Sequence, residues 1–357
     1  MSDRKYGTLI LGFGSIIVSA AICLAVLGST PLTCLAASSP TRIVVIPDPS
    51  IYRAGLRLKV ENERIIVWSP SSELSKDHQI QVFDLAGREV LSLNLLGAIP
   101  GASEVTISDA SLSPKGMLAI GIQAFAGKDH GRPFILVLDS AGSLYSSTSL
   151  RKVLGVSKIE MDNDENIWML GLGAGGSDPS KVPALTKLDP DGNTLGEFFY
   201  FSNLQGDSRL VHEGLSVGGD VGMGMTQSKI WFWLPSKREL LTIALHGSES
   251  QRLTTDLPIW PRAVADGATM YVQKPSSLES GNLLAQVTLL DSSPNGASPS
   301  TSFFEFAAES GCWREVTQND LTGHGGIFLG IDKGRVVFAA YKDDTSAIEV
   351  EWVPLAF

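Results

Sequence analysis

Charge is scarce in this chain. Only 18% of its 357 residues are Asp, Glu, Lys or Arg, against 43% hydrophobic residues. So little charge beside so much apolar side chain excludes intrinsic disorder over most of the length. Basic residues are the scarcer sign, 28 against 38 acidic, and the formal net charge is -10. A nucleic-acid surface needs clustered Lys and Arg to replace phosphate counterions, so the balance argues against that partner. Cysteine is nearly absent. Cys23 and Cys34 lie near the start, and Cys312 stands alone in the remainder. One cysteine forms no internal disulfide, so packing must hold the fold. Sustained helical periodicity and membrane-spanning apolar runs are missing beyond the first forty residues or so. What is plentiful is Gly, with 36, beside 18 Pro. A glycine-rich, charge-poor chain fits a turn-rich β protein better than a helical bundle.

The start reads as an export leader. Arg4 and Lys5 precede an uncharged run from Thr8 to Gly28, and Leu35-Ala36-Ala37-Ser38 offers small residues for signal-peptidase cleavage. The run is also long enough to cross a bilayer. Residues 1–38 are therefore expected to be a signal peptide or an N-terminal membrane anchor, the only route to a membrane. Either way residues 39–357 are expected outside the cytoplasm as a single domain: periplasmic, cell-surface or extracellular.

A short pattern recurs along that domain: an apolar strand, Asp-x-x-Gly, and another strand. It appears at Val82–Gly87, at Val137–Gly142 and at Leu188–Gly192, stretched from Leu290-Asp291 to Gly296 and shortened at Ala244–Gly247. Asp bonds nearby backbone and Gly accepts positive φ, which suits tight hairpins. Six further apolar stretches, read as second strands, are Ile65–Trp68, Met117–Ile120, Ile167–Leu170, Ile230–Trp233, Met270–Val272 and Val336–Phe338. Their mean spacing of about 54 residues is close to that of four-stranded propeller blades. The third unit reads most clearly, as strands over Val156–Met161, Ile167–Leu170, Ala184–Leu188 and Thr194–Phe201.

The stretch Val156–Trp168 (VSKIEMDNDENIW) resembles the repeat of NHL and TolB-like six-bladed β-propellers. The resemblance implies the fold and little about function. The last unit holds only three strands, over Gly326–Ile331, Arg335–Tyr341 and Ala347–Leu355. Arg42–Ile46, stopped by Pro47, is an orphan strand. Pairing deficit with surplus predicts an all-β, six-bladed β-propeller closed by an N-terminal strand.

Several motifs fail on context. Gly171–Gly176 fits GxGxxG, but Ser177–Pro183 cannot begin the helix a dinucleotide needs. Gly214–Gly218 fits GxSxG, but the residues after it are poor helix formers. Asp162–Asn166 and Asp189–Asn193 resemble the start of a calcium loop but lack its Gly and its closing Glu, and sit where the repeat demands hairpin turns. Trp68, Trp168, Trp231 and Trp233 are expected in the cores between blades.

One constellation remains. The connections between second and third strands are long at Pro70–Gln79, Phe125–Pro133, Gly171–Pro183 and Lys274–Asn282. In a propeller these emerge on the same face as the links between blades. Two carry Lys-Asp-His, with Asp77, His78, Asp129 and His130. His212, Glu213, His324 and Asp343 are expected on the same face. These eight residues form the candidate ligand-binding face of a module for a small molecule, glycan or protein, because loops on a rigid scaffold carry function. The alternative is a metal-dependent propeller hydrolase or lyase of the gluconolactonase-like branch. That branch holds a divalent metal on carboxylates of the inner strands, for which Asp109, Glu213 and Asp220 are candidates. No other cofactor is implied, and the choice between enzyme and binding module stays open.

Overall fold

The computed structural model describes residues 41–45, 57–70, 79–127, 131–174, 178–204, 222–234, 239–247, 249–254, 269–272, 275–290, 300–307, 310–317, 321, 324, 326–342 and 347–355. Among these residues, twenty-five strands form six antiparallel sheets. The first strand, β1 (Thr41–Val45), stands apart from those that follow it. Blade one holds β2 (Arg57–Glu61), β3 (Arg64–Trp68), β4 (Ile80–Phe83) and β5 (Glu89–Leu93). Blade two holds β6 (Glu104–Leu112), β7 (Leu118–Phe125), β8 (Arg132–Leu138) and β9 (Leu144–Ser149). Blade three holds β10 (Val153–Met161), β11 (Ile167–Ala174), β12 (Pro183–Leu188) and β13 (Thr194–Tyr200). Blade four holds β14 (Gly222–Met225), β15 (Lys229–Leu234), β16 (Glu239–Ala244) and β17 (Ser250–Thr254). Blade five opens on two pieces, β18 (Thr269–Val272) and β19 (Ser276–Ser277), both paired with β20 (Leu283–Leu290), then β21 (Ser300–Ala307) and β22 (Cys312–Val316). Blade six holds β23 (Ile327–Asp332), β24 (Arg335–Lys342) and β25 (Ala347–Pro354), and takes β1 as its fourth strand.

The opening strands contact one another in sequence, and β23 contacts β2, so the ring closes. Closure is sequence-distant: Thr41 pairs with Trp352, Ile43 with Val350 and Val45 with Ile348. The strand lies one residue earlier than its apolar pattern suggests. Its buried residues, Ile43 and Val45, join Val337, Val350 and Trp352 in the core between blades six and one. Pairing both ends of the chain in one sheet leaves no blade with three strands and removes an open edge.

Each sheet is sandwiched between two others, which explains the unbroken apolar second strands. Ile65–Trp68 and Ile230–Leu234 are buried throughout. Trp168, Trp231 and Trp233 are almost fully enclosed, as core residues between blades. The Asp-x-x-Gly turns at Asp84, Asp139 and Asp189 join third strands to fourth strands, while the stretched pattern from Leu290 follows the second strand of blade five. Asp139 Oδ1 accepts from the N–H groups of Ala141 and Ser143 at 2.9 and 2.8 Å, and Gly142 takes φ 82°. Asp84 and Asp189 repeat this geometry.

Two readings need correction. Met270–Val272 is a first strand, not a second, and Lys274–Asn282 leads into the hairpin between first and second strands. The cause is the break between β18 and β19, which made one interrupted inner strand read as a strand followed by a long loop. The Gly171–Gly176 motif is less of a loop than it reads, since β11 continues through Ala174.

Candidate functional site

A blade's opening strand has one unpaired edge, facing the central channel, and its N–H and C=O groups need partners. Side chains of the preceding blade supply acceptors. Glu61 Oε2 accepts from Leu112 N at 2.6 Å, and Asp109 Oδ2 from Ile159 N at 2.9 Å. Ser111 Oγ accepts from Met161 N at 3.0 Å, and Ser276 Oγ from Ile331 N at 2.8 Å. Asp332 accepts from Glu63 N at 3.2 and 3.3 Å across the closing gap. In every case the acceptor is on one blade and the donor on the next.

At the centre lies Lys59, a buried cation on β2. Its Nζ donates to Ala110 O at 3.1 Å and to Ile159 O at 3.0 Å, carbonyls of blades two and three. It pairs with Glu61 Oε1 at 2.6 Å and Glu160 Oε1 at 3.2 Å. Burial opposes the charge on Lys59, but the carboxylates of Glu160, Glu61 and Asp109 outweigh it and hold the ammonium well above the ordinary lysine range. Burial pushes the Glu61 carboxyl up to about 7, opposed by Lys59. Ser111 Oγ donates to Glu61 Oε2 at 3.0 Å, so both oxygens of Glu61 are engaged by protein. Beside the cluster the channel keeps a cavity of about 150 Å³, walled opposite by Met223, Gly224, Met225, Ser276 and Gly330.

Four oxygens around one ammonium staple three blades together. They also bear on the metal-centred alternative. Asp109, its one described candidate ligand, holds Ile159 N, and the positive charge between the channel carboxylates is Lys59. The residues present do not fit a divalent ion at that place. Among the described residues, no group of three or more His, Cys, Asp or Glu side chains is placed to hold a metal. Glu213 and Asp220 lie outside the described residues.

Of the eight residues read as a binding face, Asp77, His78, Asp129, His130, His212, Glu213 and Asp343 lie outside the described residues. His324 is described and partly buried in the link that enters β23. Its ring stacks on Phe338 with centroids 4.0 Å apart. Nε2 lies 3.2 Å from Glu351 Oε2, and Nδ1 accepts from Gly326 N at 3.2 Å. These contacts anchor the link to blade six.

Sequence reading missed Lys59, Glu61 and Glu160. On β2 the two charges alternate with Leu58 and Val60, the usual pattern of a strand with one face in water. The available signal was position: an opening strand of a propeller turns its polar row into the channel, not into bulk solvent.

No family model matches the chain, and no curated relative matches it. Among solved structures, a candidate exported protein from Bacteroides fragilis is similar at 10% identity, over 89% of this chain and 95% of the other, with a TM-score of 0.51. A member of the duf4221 family from Bacteroides vulgatus is similar at 8% identity, over 87% and 95%, with a TM-score of 0.49. The first of these is a likeness of fold. Together with the closed ring it defines the class: an all-β, six-bladed β-propeller. Among the described residues no helix is long and apolar enough to cross a membrane, and residues 1–38 lie outside them.

Proposed function

We propose that this protein is an exported propeller acting as a ligand- or protein-binding module. Its partner docks on the face formed by the interblade links and the loops between second and third strands. The observation that carries the reading is the asymmetry of the connections. Hairpins between first and second strands span only 62–63, 226–228 and 333–334 in blades one, four and six. On the opposite face the connections span 69–79, 175–182, 201–221 and 255–268. A scaffold that lengthens several loops on one face concentrates its variable surface on that side. Export rests on Arg4, Lys5, the uncharged run to Gly28 and the small residues at 35–38.

A thermal-shift screen of the exported protein against peptides and divalent metals tests it, because binders of the native state raise its stability. At least one compound is expected to raise the melting temperature, with the shift lost in the His78→Ala/His130→Ala double variant. A screen with no shift, or a shift unchanged in the double variant, contradicts docking on this face.

A further inference from the structure

Neighbouring blades do not close on one another with the same side chains. Strand register aligns one residue from each strand in a row running from channel to rim. In blade three the row is Glu160, Trp168, Lys187 and Gly196. In blade four it is Gly224, Trp231, Thr242 and Gln251. Both rows place a tryptophan, preceded by isoleucine, on the second strand.

In blade three, Lys187 crosses the gap to blade four. Its Nζ lies 4.9 Å from the centre of the Trp168 ring, donates to Leu245 O at 3.1 Å and sits 3.4 Å from Asp162 Oδ2. In blade four the same place holds Thr242, which lacks the lysine stem and the ammonium. Between blades four and five a cleft of about 500 Å³ stays open. Trp231 is its inner wall. The indole donates to Ser277 Oγ of blade five at 2.6 Å, and its ring packs where a Cβ on Gly224 would come within 2.5 Å.

The lining is chemically distinctive. Hydroxyls and amides of Ser228, Thr242, Gln251, Ser280 and Asn282 stand over an apolar floor of Leu240, Leu253 and Leu283. Among the described residues lining it none is acidic, in a chain of net charge -10, and Lys229 alone is charged.

We propose that this cleft binds a neutral saccharide. Such a ligand presents hydroxyls that both donate and accept, matched by neutral side chains that do the same, and C–H faces that suit the leucine floor. A purely apolar ligand would leave the Thr242 hydroxyl and the Gln251 amide unmatched. A multiply anionic ligand would find one cation. The cleft opens beside the short hairpins of blades four and five, so the proposal does not rest on the loop-bearing face.

Saturation-transfer NMR on the full-length protein tests it, using glucose, galactose, mannose, N-acetylglucosamine and cellobiose, with glucose 6-phosphate as a charged control. Transfer to at least one neutral sugar is expected. Thr242→Lys, which installs the blade-three plug, is expected to weaken it by about tenfold or more. Gln251→Ala, at an exposed rim position, reports the same loss in direction if Thr242→Lys disturbs folding. Absence of transfer to every neutral sugar, or transfer equal in Thr242→Lys and Gln251→Ala to the parent, overturns the proposal.

Discussion

Blades three and six solve one problem by different routes. Both bury an Asp that accepts from a fully buried indole. Asp162 Oδ2 takes Trp168 Nε1 at 3.1 Å, and Asp332 Oδ2 takes Trp352 Nε1 at 3.1 Å. In blade three the partners are six residues apart, within one continuous run from Val153 to Tyr200. Asp162 also holds its own turn through Asp164 N and Asn166 N. In blade six the partners are twenty residues apart, and Asp332 reaches blade one through Glu63 N. The fourth strand arrives from the other end of the chain. Blade three is stabilised locally, while blade six depends on closure of the ring.

The largest break in that comparison comes from deleting Thr41–Val45. The variant is expected to lose cooperative melting, since it strips the last blade of its outer strand and bares the edge of β25. Removing any equally short outer strand elsewhere cannot undo the ring in this way. Next is Lys59→Met. It leaves Glu61 and Glu160 facing one another without their cation, and about 3–5 kcal/mol of stability is expected to go, read by urea unfolding. Third, Asp162→Ala and Asp332→Ala each orphan a buried indole N–H and are expected to cost about 1–3 kcal/mol. Hydrogen exchange separates them. Asp332→Ala should speed exchange in β1 and at Glu63, and Asp162→Ala should confine its effect to blade three.

The last effect is a pH slope. Folded Glu61 takes its proton near 7, against an ordinary value of 4.5. Between those values the folded chain binds more protons than the unfolded one, so stability falls as pH rises through the window and is flat above it. Glu61→Gln is expected to remove that fall. Asp162 works in the opposite sense. Burial would raise its carboxyl, but hydrogen bonds from Asn166 and Trp168 hold it below the ordinary range. Its contribution is present above the ordinary carboxylate range and is lost as pH falls.

The architecture was legible where local chemistry repeats. Asp-x-x-Gly turns, continuous apolar second strands and the unpaired first strand were enough to count blades and to close the ring. Blade five was misregistered because its inner side is formed by two short strands, β18 and β19, and only the first carries an apolar run. The channel cluster was not legible because Lys59 and Glu160 are a hundred residues apart and meet only once three blades are assembled. The contacts of His324 were not legible either, because its stacking partner Phe338 belongs to a later strand.

Closure by the N-terminal strand is the claim on which the rest stands, and a register-specific cross-link tests it most directly. In a background with Cys23, Cys34 and Cys312 replaced by serine, cysteines at Arg42 and Glu351 face each other across β1 and β25. Oxidation is expected to join them and to raise the melting temperature, while cysteines at Arg42 and Val350, one residue out of register, remain free. A chain that forms no bond at 42 and 351, or that cross-links equally well at the slipped pair, would contradict the closed ring.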